Sequence, residues 1–270
     1  MPIAPSKGAS IYFEDGGGAG TPVLLISGMM CDHGSWGDFP HQLPGHRVIV
    51  FDNRDIGRSS LATAPYGIRT LADDTLAILD HLKLPSAHII GHYMGGQIAQ
   101  ELCLAHPGRV RSLGLINTWA KTDAYVRACF GVWQAMQTRI KDHDELLHAM
   151  IFFGNGRSTL AVKSPDDLVE GFKAAVAQQK PEAFLRNIAA GMDADTLDRL
   201  KQIARPTLVV WGDEDVIFPP VYAQQMLDAI PHARGICIEG TGHGSPVEKP
   251  EAFTKAVLEF LREVDQSAAA

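Results

Sequence analysis

The stretch that decides the fold is Ile89-Ile90-Gly91-His92-Tyr93-Met94-Gly95-Gly96, where an apolar run leads directly into a glycine-rich turn. Apolar residues then recur at the spacing of one face of a helix, at Met94, Ile98 and Leu102. The stretch therefore predicts a buried strand followed at once by a helix. Gly91 and Gly95, which carry no side chain, would let the strand and the helix approach closely across a sharp turn at Tyr93.

Further apolar runs lie on both sides of this stretch, at 23–26, 48–51, 113–116, 207–210 and 235–238. Continuous rather than alternating apolar runs are typical of strands that are covered on both faces. Amphipathic helical patterns separate them, so we expect an α/β fold with a doubly wound, mostly parallel sheet. A first strand around 11–13 is expected to pair at the sheet edge.

One interval breaks this alternation, because 117–205 contains helical patterns but no convincing strand. The sequence therefore predicts a core made of residues 1–118 and 205–270, with an all-helical cap at 119–204. Ligands of open α/β sheets bind beyond the carboxyl ends of the strands, and we expect the cap to cover that edge.

The amino-acid composition excludes some classes of binding partner and indicates the cellular compartment. The 270-residue chain has a formal net charge of −7 and no basic cluster, which disfavours nucleic acid and anionic membranes as partners. Its four cysteines are scattered without metal-ligand spacing, and no nucleotide, flavin or metal motif is present. We expect a cytoplasmic protein without a cofactor or metal, acting on a small apolar molecule; a homo-oligomer stays an option.

The strand–turn–helix stretch resembles the nucleophile elbow of the α/β-hydrolases, in which G-x-S-x-G places a serine on a strained turn. Gly91, Gly95 and Gly96 match this pattern, but Tyr93 stands where the family has serine. The segment Arg54-Asp55-Ile56-Gly57-Arg58-Ser59 is similar to that of small bacterial enol-lactonases and polyketide methylesterases.

The resemblance also implies an acid and a base. Trp211-Gly212-Asp213-Glu214-Asp215 follows a predicted strand and resembles the acid loop of the family, with Asp215 at the acid position. Asp213 and Glu214 are the fallback acids. Gly240-Thr241-Gly242-His243-Gly244 resembles the loop of the catalytic base, which assigns that role to His243. The order nucleophile, acid, base is the one expected of this fold.

Other residues receive roles with less direct support. The resemblance places the oxyanion-hole N–H groups at Met29 and Met94. Within the cap, the aromatic residues expected to bind substrate are Trp119, Trp133 and Phe152. The remaining residues near these motifs are interpreted as structural: Arg54, Arg58, His92 and Cys31.

A tyrosine cannot simply replace the serine as acyl acceptor. Its oxygen stands several bonds farther from the backbone, and an unperturbed phenol is about one part in a thousand ionised at pH 7.

Three hypotheses about the function of the chain stay open. The chain is an ester or lactone hydrolase that lost its serine, by engineering or drift, and in which His243 activates water. It is a cofactor-independent decarboxylase, lyase, cyclase or oxygenase that uses Tyr93 and His243 as an acid–base pair. Or it is a non-catalytic binder.

Overall fold

A computed structural model describes residues 2–175 and 179–269 of the chain. Its single eight-stranded sheet has the strand order β1-β2-β4-β3-β5-β6-β7-β8. The strands are β1 (Ile3–Ser6), β2 (Ala9–Asp15), β3 (Thr21–Ile26), β4 (His46–Phe51), β5 (Ala87–His92), β6 (Val110–Ile116), β7 (Thr207–Gly212) and β8 (Arg234–Ile238). Strands β3 to β8 are mutually parallel, whereas β1 and β2 pair antiparallel at one end. The predicted doubly wound, mostly parallel sheet is confirmed.

The expectation for the sheet edge needs correction. The strand predicted around 11–13 is part of β2, but β1 lies outside it and forms the edge. β1 has only four residues, one of them Pro5, and so carried no apolar run to find. Proline is tolerated in an edge strand because the outward N–H needs no ladder partner.

Helices cover both faces of the sheet. Those outside the β6–β7 connection are α1 (Ile68–His81), α2 (Met94–Ala105), α8 (Pro220–Ala229), α9 (Ser245–Glu248) and α10 (Pro250–Ala269). α1, α2 and α8 contribute to one apolar cluster, and the apolar face of α10 contributes to a second cluster with Trp36 and Phe39. The buried faces of the central strands are divided between these two clusters, which explains why the strands read as continuous apolar runs.

Between β6 and β7, the described residues form five α-helices and one 3-10 helix (Leu197–Gln202); the α-helices are α3 (Ala124–Arg139), α4 (His143–Gly154), α5 (Arg157–Leu160), α6 (Pro165–Ala175) and α7 (Pro181–Met192). The two ends of this connection are joined by an isolated bridge between Lys121 and Asp195. The Thr122 N–H donates to Ala194 O and the Thr196 N–H to Ala120 O. The division into a cap at 119–204 stays a prediction, and its residues 176–178 lie outside the described part of the chain. No described helix combines the length and apolarity that crossing a bilayer requires.

Candidate active site

The turn between β5 and α2 keeps the strained geometry that its glycines predicted. Tyr93 has φ 57° and ψ −122°, a conformation that a residue with a side chain rarely adopts. A Cβ on Gly91 would lie 2.1 Å from Gly95 O, and one on Gly95 would lie 2.0 Å from Ile26 O. Strand and helix can therefore meet this closely only because both positions are glycine.

Backbone hydrogen bonds hold Tyr93 in this conformation. Its N–H donates to Ile116 O at 3.0 Å. Its carbonyl accepts from Thr118 Oγ1 at 2.7 Å. Both partners come from β6 and the residues just after it, so the neighbouring strand fixes the turn.

The side chain of Tyr93 is buried, with 3% of its surface exposed. Its ring lies against Gly28, where a Cβ would come within 2.4 Å of Tyr93 Cδ1. Its hydroxyl donates to Met29 Sδ at 3.4 Å, and sulfur is a weak acceptor. Burial raises the pKa of Tyr93 well above its usual value of 10, so the phenol stays neutral.

Asp215 and His243 form a buried pair. His243 Nδ1 lies 3.0 Å from Asp215 Oδ2, and the carboxylate also accepts from the N–H groups of Ile217 and Phe218. Because a carboxylate only accepts, Nδ1 carries the proton and the lone pair of the neutral imidazole is at Nε2. His243 Nε2 is buried without a hydrogen-bond partner among the described residues. This arrangement suits a general base.

Asn117 is part of this site but was missed in the sequence. Its Nδ2 donates to Asp215 Oδ2 at 3.0 Å and to Gly242 O at 3.1 Å, which ties the acid loop to the base loop. Its φ of 42° places it at a tight turn directly after β6. A polar residue right after a predicted strand was the available signal, because the carboxyl end of each strand points to the site.

His92 supports the base loop from below. Its Nε2 lies 3.0 Å from His243 O and donates to it. Burial lowers the pKa of His92 to about 3, so its imidazole is neutral and keeps this role near neutral pH. The interpretation of His92 as a packing residue agrees with this geometry, although the residue also borders the cavity.

A cavity of about 510 Å³ opens onto these side chains. Tyr93 and His243 both line it, with their ring centroids 4.9 Å apart and their planes perpendicular. Most of the wall is apolar and includes Met29, Trp36, Trp133, Met150, Phe172 and Ile217. Charged side chains in the wall are Lys163, Asp167 and Glu248. The site therefore suits a small, mainly apolar molecule with a few polar atoms.

Of the three aromatic residues expected to bind substrate, the structure brings only Trp133 to the cavity. Trp119 is fully buried beneath it and stacks on Phe218 at a centroid distance of 4.5 Å. Phe152 is 61% exposed and also lies outside the cavity wall. Helical spacing identifies an apolar face but not which neighbour that face meets, so the sequence could not show which of the three residues reaches this cavity.

The positions expected to supply the oxyanion hole lie beside Tyr93. Met94 is the first residue of α2, and Met29 follows Gly28, on which the Tyr93 ring packs. Among the described hydrogen bonds, neither backbone N–H donates to a protein acceptor. Their role stays a prediction.

The fallback residues have other partners. Asp213 accepts from the Gly240 N–H, and Glu214 accepts from the N–H and hydroxyl of Ser158. Both are tied to neighbouring loops, so Asp215 is the acid that meets His243.

The arginines and the cysteine near the site have structural surroundings. Arg54 is buried in an ion pair with Asp74, and Arg58 lies over the ring of Tyr12. Cys31 lines the cavity, but burial raises the pKa of its thiol to about 12. A thiol that stays protonated at neutral pH is a poor nucleophile.

The chain is similar to known proteins over most of its length. The sequence profile of the alpha/beta hydrolase fold family matches residues 21–250. A protein of Azorhizobium caulinodans named "Putative carbamate hydrolase RutD" is 31% identical over 272 residues, covering 98% of this chain and 100% of that protein.

Solved structures give the same result. A hydrolase from Pseudomonas aeruginosa PA01 is 30% identical, with a TM-score of 0.86 and 96% of each chain covered. An enol-lactonase from Burkholderia xenovorans LB400 is 25% identical, with a TM-score of 0.86, covering 97% of this chain and 100% of that one.

Proposed function

Because the chain belongs to the α/β-hydrolase fold family, we propose that it hydrolyses a small apolar ester, lactone or carbamate through water activated by His243. The observation that carries the proposal is His243 Nε2, which faces the cavity and has no hydrogen-bond partner in the described part of the chain, with Asp215 on the other ring nitrogen. Tyr93 is neutral and buried beside it.

The proposed reaction uses groups that are already in place. His243 Nε2 takes a proton from a water molecule, and the water oxygen attacks the carbonyl carbon. Asp215 stabilises the imidazolium that forms. The C–O bond to the leaving group then breaks, and the imidazolium returns its proton to the departing oxygen. An ester releases an acid and an alcohol, a lactone opens to a single hydroxy acid, and His243 is regenerated.

Tyr93 acts in this scheme as a hydrogen-bond donor and not as a nucleophile. Its raised pKa keeps the proton on the phenol, so attack by phenolate is disfavoured. A carbonyl oxygen is a better acceptor than the thioether sulfur that the hydroxyl now meets at 3.4 Å. We therefore assign Tyr93 to stabilising the negative charge that develops on the substrate oxygen.

The test compares the protein with Tyr93→Phe, Tyr93→Ser and His243→Gln on a panel of p-nitrophenyl esters and simple lactones. We expect His243→Gln to lower kcat at least a hundredfold, the usual scale of a lost general base. Loss of the phenol donor in Tyr93→Phe should lower kcat by about 10²-fold, with a smaller change in KM. Intact-protein mass spectrometry after quenching should detect no acyl adduct on the unmodified protein.

Tyr93→Ser is the matched control, since it restores the family nucleophile on the same strained turn. This variant should react with a fluorophosphonate probe and accumulate an acyl-enzyme, whereas the unmodified protein should do neither. An acyl adduct on Tyr93 would overturn the water mechanism. If Tyr93→Phe retains full activity, the phenol hydroxyl has no role in the reaction.

A second candidate function is cofactor-independent proton transfer on a carbonyl substrate. The observation that favours it is that a neutral donor, Tyr93, and a base, His243, line the same cavity with ring centroids 4.9 Å apart. Such a pair could remove a proton beside a carbonyl while the phenol stabilises the enolate. Exchange of that hydrogen in D2O, without hydrolysis of any ester in the panel, would select this function. Family membership favours either enzyme over a non-catalytic binder.

A further inference from the structure

A group of metal-ligating side chains lies away from the cavity, at the amino ends of the central strands. His46 is the first residue of β4, His88 is the second residue of β5, and Asp265 is on α10. β3 separates the two strands in the sheet, and its first residue, Thr21, is in register with His46. The cavity lies at the opposite, carboxyl ends of these strands, so this cluster plays no part in the proposed reaction.

The three side chains are close together and point at one another. Asp265 Oδ1 is 3.1 Å from His88 Nε2, and Asp265 Oδ2 is 3.3 Å from His46 Nε2. One ligand atom from each residue lies within 4.8 Å of the other two. A tetrahedral zinc ion with bonds of about 2.0–2.1 Å holds its ligand atoms about 3.3–3.4 Å apart. The two distances, each to a different oxygen of Asp265, are close to this spacing, so a small rotation of the carboxylate would be needed to bring one oxygen to both imidazoles.

His46 shows that protein contacts alone do not complete this cluster. Its side chain is only 4% exposed, yet among the described residues Nδ1 has no partner, and Nε2 has only the 3.3 Å contact with Asp265 Oδ2, which lacks hydrogen-bond geometry. Buried polar atoms without partners are costly, and a bound ion is one of the ordinary ways in which they are satisfied. His88, by contrast, has its second nitrogen 2.7 Å from Ser112 Oγ, the kind of contact that orients a metal-bound imidazole.

We propose that His46, His88 and Asp265 form a zinc-binding site that fastens α10 to the sheet. Two imidazoles and one carboxylate are a donor set that suits zinc, with water as the fourth ligand. Asp265 is 26% exposed, which gives the ion a route from solvent. The carboxylate comes from the C-terminal helix and both imidazoles come from the sheet, so the bound ion links the two.

Arg111 is the feature that opposes metal binding. Its Nη2 lies 3.2 Å from Asp265 Oδ1, where it competes for the carboxylate. If the cluster only docks α10 through ion pairs, Arg111 strengthens it; if it binds zinc, Arg111 weakens the binding. Removal of the guanidinium therefore separates the two interpretations.

A second group of potential ligands, Asp32, His33 and Asp52, is better satisfied by the protein itself. Asp52 Oδ1 accepts from the N–H and Nδ1 of His33, and Oδ2 accepts from the Arg58 N–H. Asp32 Oδ1 accepts from the Gly34 N–H. These contacts fix a loop, so the group serves as an internal control.

The experiment titrates EDTA-treated, desalted protein with zinc chloride by calorimetry and follows thermal unfolding with and without zinc. We expect one zinc ion per chain and a higher Tm, since a ligand that binds only the folded state stabilises it. His46→Gln and Asp265→Asn should each weaken zinc binding at least tenfold. His33→Gln should leave it unchanged, and Arg111→Gln should strengthen it.

Circular dichroism of each zinc-free variant confirms that it folds. If His46→Gln does not fold, the Arg111→Gln comparison decides alone. The proposal is overturned if the protein shows no saturable zinc binding, if His46→Gln and Asp265→Asn bind as tightly as the unmodified protein, or if Arg111→Gln binds less zinc. Zinc binding that disappears in His33→Gln would assign the ion to the other cluster.

Discussion

At the scale of the residue, the strained turn at position 93 accommodates a full aromatic side chain. The backbone keeps the positive φ of 57° that the turn requires, and the ring is accommodated against Gly28. Gly28 leaves space for this aromatic ring because it has no side chain of its own. This close contact makes Gly28 and Tyr93 energetically dependent on each other.

Gly28→Ala tests this dependence. The new methyl group would lie 2.4 Å from Tyr93 Cδ1 and 2.7 Å from Tyr93 Cβ, so the ring must move. We expect the free energy of unfolding to fall by about 1–3 kcal/mol, the range for overpacking a core. In a Tyr93→Ser background the loss should be smaller, though not zero because Cβ remains. Urea denaturation of the four proteins of this cycle measures the coupling, and equal losses in both backgrounds would contradict it.

Sequence motifs predicted the residues of the site that lie on recognisable turns, namely Tyr93, Asp215 and His243. They could not predict Asn117, which reaches the acid through a side-chain contact between chain positions 98 residues apart. Nor could they separate Trp133 from Trp119 or Phe152, because the direction in which a cap side chain points depends on packing between helices. The catalytic roles themselves stay predictions that kinetics must test.

At the scale of the element, α7 is fastened to the loop after β4 by a buried ion pair. Arg186 donates through Nε and Nη2 to the two carboxylate oxygens of Asp55, at 2.8 and 2.7 Å. The Asp55 side chain is fully buried and also accepts from Ala62 N and Tyr66 OH. Burial by itself raises the pKa of Asp55, but these hydrogen bonds outweigh it and hold the pKa below its usual value.

Arg186→Gln should therefore destabilise the protein by about 3 kcal/mol at pH 7, because it leaves a buried carboxylate without its partner. The folded-state pKa of Asp55 is depressed, so the ion pair contributes above the unfolded pKa of about 4 and is lost as the pH falls through the folded value. The difference between the two proteins should thus shrink below pH 4 in urea denaturation. Arg157→Gln, whose side chain is 86% exposed, is the control that should change nothing.

Strands and helices could be predicted where the apolar residues follow a long, regular pattern, and they were missed where the pattern is short. The central strands and α2 follow from apolar runs and helical spacing that several turns repeat. β1 has four residues and only its Ala4 is fully buried, so no periodicity could reveal it. Its pairing with β2 comes from the rest of the sheet and not from its own composition.

At the scale of the whole molecule, the stability of the fold depends on pH because folding buries His92 in its neutral form. The unfolded chain would protonate this histidine in mild acid. The pKa of His92 falls from its usual value of 6.5 to about 3 on burial. Between these values the unfolded chain binds one more proton than the folded protein at this position. Lowering the pH below 6.5 therefore destabilises the folded state, at pH values above those at which the carboxylates are protonated.

The expected result is a fall in the free energy of unfolding as the pH drops from 6.5 toward 4. The limit for one such group is about 1.4 kcal/mol per pH unit, and His92 should contribute about 1 because it borders the cavity and is partly solvated. Burial also lowers the pKa of His88 to about 4, so His92→Gln, which keeps a donor for His243 O, should reduce the slope by the share of His92 and not abolish it. Guanidinium denaturation of both proteins at pH 7, 6 and 5 measures the free energy of unfolding. If it falls equally with pH in the two proteins, His92 does not contribute to the pH dependence.

The bridge between Lys121 and Asp195 has a consequence for how such proteins diversify. Because Lys121 pairs with Asp195, the helical segment between them begins and ends at neighbouring points. Its length and sequence can change there without rerouting the strands, except around 154–158, where Gly154 O accepts from the Gly244 N–H and Ser158 donates to Glu214. A helical segment transplanted from a relative at Lys121 and Asp195 must therefore reproduce these contacts if His243 is to keep its position.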